Sequence, residues 1–123
     1  MNLVSGLSLA RIGIGGMALA APELTAKAFR LDATRNRQLP YMMRMFGSRE
    51  LALGALTLMA PRGARKALVV LGMGVDAADA FAGQTAAQSG AVSQQDGMFL
   101  SAPAVAAVAA GALGLLERRK SGD

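Results

Sequence analysis

Six charged residues stand inside otherwise apolar stretches of this sequence: Arg11, Arg44, Arg49, Glu50, Asp76 and Asp79. Three are basic and three acidic, so they cancel. Asp76 and Asp79 are spaced to share one face of a helix, and neighbouring carboxylates separate their pKa values, so that one holds a proton while the other accepts one. Asp76, Asp79 and Glu50 are therefore the candidate acid/base groups. Arg11, Arg44 and Arg49 are the candidate ligand-binding groups, because a guanidinium between carboxylates can orient water or a substrate oxygen. Such a set would permit hydrolysis, isomerisation or ring closure on a small lipophilic molecule with a polar end.

Other chemistries are excluded by composition. The chain has no histidine and no cysteine. A Ser-His-Asp triad, a Cys-His pair, a thiolate metal site and a histidine pH switch are thus all absent. Asp76-Ala77-Ala78-Asp79 has the D-x-x-D form of isoprenoid enzymes that hold magnesium diphosphate, but those need a second acidic motif and more helices. No metal and no cofactor are expected.

The elements that must position these charges are four apolar stretches, residues 3–21, 41–60, 67–83 and 98–116. Each is close to the length of about 17 to 25 residues that crosses hydrocarbon roughly 30 Å thick. Hydrophobic residues make up 53% of the chain and charged residues 17%, with a mean hydropathy of +0.37, a balance that suits a lipid solvent better than water. Pro22, Pro40 and Pro61 mark stretch edges, and Pro103 falls near the start of the last. With 15 glycines and only one tyrosine and four phenylalanines, close helix contact must run through small residues. The expected fold is all-α, a four-transmembrane-helix bundle forming one integral membrane domain over residues 1–123.

Helical spacing gathers the charges. Gly72, Asp76, Asp79 and Gly83 make one stripe, Gly47, Glu50 and Gly54 a second, and Ser8, Arg11 and Gly15 a third. At about 1.5 Å per residue, Arg44 comes out roughly 5 Å deep and Arg49 about 12 Å, level with Asp79, while Arg11 is level with Asp76 near the midplane. The expected pairs are Arg49 with Asp79 and Arg11 with Asp76 or Glu50. Arg44 is shallow enough to snorkel to the interface. These pairs could equally lock helix register, as a buried polar residue does in a coiled coil.

The connections carry the net charge. Removing the six inner charges leaves ten basic and five acidic residues, so the whole +5 lies at the membrane edges and suits anionic head groups rather than nucleic acid. Residues 22–34 could lie on the membrane as an amphipathic segment, and residues 117–123 form a basic tail. Lys and Arg counts place both termini in the cytoplasm. Arg11 in the first apolar stretch, and the lack of a basic residue before it, oppose a cleaved signal peptide.

The runs Ala10-Arg11-Ile12-Gly13-Ile14-Gly15, Ala21-Pro22-Glu23, Arg44-Met45-Phe46-Gly47-Ser48-Arg49-Glu50-Leu51-Ala52-Leu53-Gly54 and Val75-Asp76-Ala77-Ala78-Asp79 resemble a widespread bacterial family of small four-helix membrane proteins of unknown function, DoxX-like in style. The R-x-F-G-x-R-[DE] pattern followed by D-x-x-D carries the resemblance over nearly the whole chain. It implies a fold and a membrane location, and no activity.

Three functions fit the charges: binding of a small lipophilic molecule, with acid/base transformation as an extension of it; an accessory or structural role beside a membrane-protein partner or in a homo-oligomer; and proton-coupled transport or relay. Whether the protein is an enzyme is left open by its sequence.

Overall fold

Asn2 starts the first helix, its side-chain oxygen accepting from the Ser5 backbone N–H at 2.8 Å. The computed structural model describes residues 2–120, without the side chains of 118–120. Within these the chain forms α1 (Leu3–Ala20), α2 (Pro22–Ala28), α3 (Leu39–Met59), α4 (Arg62–Gln88) and α5 (Gln94–Lys120). Pro22 opens α2 and Pro40 lies in the first turn of α3, where the missing N–H costs nothing.

The four-transmembrane-helix expectation is corrected here. There are five helices, and three are long and apolar enough to cross a membrane: Leu3–Ala20, Arg62–Gln88 and Gln94–Glu117. Helix α3 has the length but carries Arg44, Arg49 and Glu50. Its composition is therefore too charged for a span, and its apolar residues alone had suggested otherwise.

Several boundaries also move. Helix α4 continues through Gln84 and Thr85 to Gln88, because those polar residues are compatible with helix, and it ends where Gly90 takes a φ of +81°. Helix α5 begins at Gln94, ahead of the expected 98, and Pro103 lies inside it. The segment expected at 22–34 is helical only to Ala28. Arg30 then enters the left-handed region at φ 61°, and the Leu31 N–H closes back on the Ala26 carbonyl at 2.9 Å. Beyond it Asp32 accepts from the Thr34 hydroxyl and from the Thr34 and Arg35 backbone N–H groups, which holds its carboxyl below the usual carboxylate range. In the basic tail expected at 117–123, residues 121–123 lie outside the described residues.

The long helices pack as two antiparallel pairs, α1 against α3 and α4 against α5. Glycine sets the first seam. A Cβ built on Gly15 would lie 2.7 Å from the Gly47 carbonyl oxygen, and one on Gly47 would lie 2.7 Å from the Gly15 oxygen. The two backbones can approach this closely only without side chains. In the second pair Gly83 and Gly97 play the same part against Ser101 and Ala87, and the Ser101 hydroxyl donates to the Ala80 carbonyl at 3.2 Å.

The pairs meet less closely, and at their ends specific groups tie them. Arg65, just inside α4, donates from Nε to the Thr57 carbonyl at 3.1 Å and from Nη2 to the Leu58 and Ala60 carbonyls at 3.1 and 3.3 Å. It thus satisfies the unpaired carbonyls that end α3. Across the fold, the Leu3 N–H donates to Glu117 Oε2 at 3.3 Å, bringing the start of α1 to the end of α5.

Replacing Gly47 by alanine should lower stability by about 1–3 kcal/mol through overpacking against backbone. Gly13→Ala, where a Cβ meets nothing within 4 Å, should be close to neutral. Thermal unfolding of the two variants in detergent checks this, and equal melting temperatures would refute the seam.

Candidate functional site

Midway along α1, Arg11 faces inward between Ser8 and Gly15, all three buried. Its Nη1 donates to Glu50 Oε2 on α3 at 2.7 Å and to Asp76 Oδ1 on α4 at 3.0 Å, and its Nη2 donates to Asp76 Oδ2. The guanidinium therefore grips Asp76 with both arms and Glu50 with one. All three side chains are buried to within 8% exposure. Gly72, one turn before Asp76, makes room: a Cβ there would come within 2.9 Å of Arg11 Nη2.

A second guanidinium adjoins this triad on its loop side. Arg49 Nη2 donates to Asp79 Oδ2 at 2.6 Å and lies 3.5 Å from Glu50 Oε1. Glu50 thus receives both arginines, one on each oxygen. In contrast with the triad, Arg49 and Asp79 are 38% and 34% exposed. The Nε of Arg49 is itself buried and has no hydrogen-bond partner among the described residues. The Phe46 ring lies 5.3 Å from Arg49 Cζ, close enough for a cation–π contact, and Phe29 meets Phe46 edge-on at 5.8 Å.

One oxygen each of Glu50, Asp76 and Asp79 lies within 4.8 Å of the others. Arginines already occupy this group, since Arg11 holds both oxygens of Asp76 and Arg49 holds Oδ2 of Asp79. A cation would have to displace them. The five ionised groups carry a formal charge of −1, two guanidiniums against three carboxylates, and one proton shared among the acids would neutralise it. The arrangement can therefore hold or pass a proton and can offer a hydrogen-bond donor to an incoming oxygen.

Of the residues singled out by sequence, Arg11, Arg49, Glu50, Asp76 and Asp79 come together. Arg49 meets Asp79, and Arg11 takes both Asp76 and Glu50 rather than one. Arg44 does not join them; it is exposed on the outer face of α3. Sequence reading missed Phe46 and Phe29. Phe46 stands three residues before Arg49, a helical neighbour, so spacing alone could have placed it beside the guanidinium. Phe29 had no such signal, because its contact depends on the chain turning back after α2.

Compared with known protein families, curated proteins and solved structures, the chain matches none.

Arg11→Met leaves two buried carboxylates without their cation and should cost about 3–5 kcal/mol, whereas the concerted Arg11→Met, Glu50→Leu, Asp76→Leu exchange should recover most of the loss. Chemical or thermal unfolding in detergent separates the two. A single variant as stable as the parent would show that the triad does not hold the helices together.

Proposed function

We propose that this protein is a multi-pass integral membrane protein that binds the polar end of a small lipophilic molecule at Arg49 and Asp79. The observation carrying this reading is the contrast within one cluster. Arg11, Glu50 and Asp76 are closed off and paired with one another, while the adjoining Arg49–Asp79 pair is half-exposed and Arg49 keeps a buried, unused N–H. A buried donor without an acceptor is costly, and a ligand oxygen would relieve that cost. Phe46 beside the guanidinium supplies an aromatic surface for the apolar part of the ligand next to the polar group.

Within this reading the triad positions and the outer pair works. Glu50 couples them, since a change in the charge of Asp79 alters the field on the arginine that it shares. The surplus carboxylate makes acid/base transformation of the bound molecule a natural extension, with Asp79 the acid/base group that can reach it. An accessory role is favoured by one observation, the engagement of Arg11 by both Glu50 and Asp76 within the chain, which needs no ligand. The three helices of sufficient length and apolar character support membrane insertion. The Leu3–Glu117 contact brings the start of α1 beside the later part of α5, at the end of the helices that holds Arg62, Arg65 and Lys66; the basic character of that end supports its assignment to the cytoplasm.

Native mass spectrometry of the detergent-purified protein, equilibrated with a total lipid extract, tests the reading. The parent should retain a small-molecule adduct, and Asp79→Asn and Arg49→Gln should each lose it while remaining helical by circular dichroism. Folded parent protein with no specific adduct would overturn the ligand reading in favour of an accessory role.

A further inference from the structure

Arg44 is the one basic residue within an apolar stretch that the folded chain leaves outside the cluster. Within a single copy, Arg11 and Arg49 face Glu50, Asp76 and Asp79, one guanidinium short of balance. The missing positive charge is present in the sequence, on α3, but it points outward: Arg44 is exposed, and Ser48, one turn on, is exposed with it. Asp79 is the acid with capacity left. Its pairing with Arg49 runs through Oδ2, leaving Oδ1 outside that ion pair, and the side chain is 34% exposed.

We infer that α3 is the interface with a second copy of this chain, and that Arg44 of the partner subunit completes the Arg49–Asp79 site by pairing with Asp79. A symmetric pair of chains side by side in one membrane puts each α3 against the α3–α4 seam of the other. Each Arg44 then faces an Asp79, and three guanidiniums meet three carboxylates in each half. The geometry allows it. Arg44 stands five residues before Arg49 on the same helix, about 7.5 Å nearer the loop end, and a crossing tilt between the two α3 helices, with the reach of a long arginine side chain, brings it to Asp79 of the partner subunit. The same arrangement covers Arg44, Ser48 and the half-exposed ion pair, and gives each of these polar groups a partner across the interface.

The inference rests on the membrane placement proposed above, but not on any ligand, so its test reads association alone. The chain lacks cysteine, which makes Ser48→Cys a unique reporter on the exposed face of α3. Oxidation in membranes should trap Ser48→Cys as a disulfide dimer, and native mass spectrometry of the parent should show the same dimer. Adding Arg44→Glu, an exposed position whose change leaves helicity intact, should weaken the dimer about a hundredfold or more, because like charges then oppose each other. Arg44→Glu and Asp79→Arg chains, each monomeric alone, should form a mixed dimer in which both contacts are attractive. Should the Asp79→Arg chain fail to fold, the Arg44→Glu comparison decides by itself. A monomeric parent in membranes would overturn the inference, as would undiminished trapping of the Arg44→Glu chain. A monomer that carries an anionic lipid lost on Arg44→Glu would overturn it too, marking Arg44 as a head-group contact.

Discussion

A charge removed from water must find its opposite, and in this chain that requirement falls on Arg11. Among the described residues of the cluster, its guanidinium alone touches acids on two other helices, Glu50 on α3 and Asp76 on α4. Leaving any member of such a triad unpaired is far more costly than the pairing is favourable. The consequence is geometric: α1, α3 and α4 must meet at one level, and Gly72 must stay small so that the guanidinium can lie flat between them.

Glycine and charge therefore divide the work of assembly. Glycine seams bring α1 onto α3 and α4 onto α5 by direct backbone approach, with Gly15 on Gly47 and Gly83 beside Ser101. Such contact is non-specific in chemistry and strict in shape. Between the pairs the approach is looser, and it is charge that crosses: Arg11 to Asp76 and Arg49 to Asp79 both join the first pair to the second. Arg65 and Glu117 add ties at one end, where helix termini expose backbone groups that need partners. A packed seam has one best depth; an ion pair fixes which residues must be level with one another.

The same division gives the cluster its polarity. Toward the middle of the helices the triad is closed, and guanidiniums meet both oxygens of Glu50 and both of Asp76. Toward the loop side the Arg49–Asp79 pair opens between α3 and α4, where no glycine seam among the described residues shuts the gap, and Phe46 and Phe29 stand beside it. Closed and open ends thus follow from how tightly neighbouring helices approach, without any change in residue type.

Periodicity by itself determined much of this protein. The stripes Ser8–Arg11–Gly15, Gly47–Glu50–Gly54 and Gly72–Asp76–Asp79–Gly83 put four charges on inward faces, and the levels implied by helical rise matched Arg49 to Asp79, because a helix converts spacing into direction and depth. Span number was not legible in the same way: an apolar run reads as a crossing until Arg44, Arg49 and Glu50 are weighed together in α3, and turn positions such as Gln88 and Ala28 depend on backbone closures that polar residues do not announce. Only the tertiary structure decided that Arg11 takes two acids at once, that Phe29 returns to Phe46, and that Arg44 stays outside. Each of these depends on the distance between helices, and that distance is set by which small residues face one another across a seam rather than by any pattern within one helix.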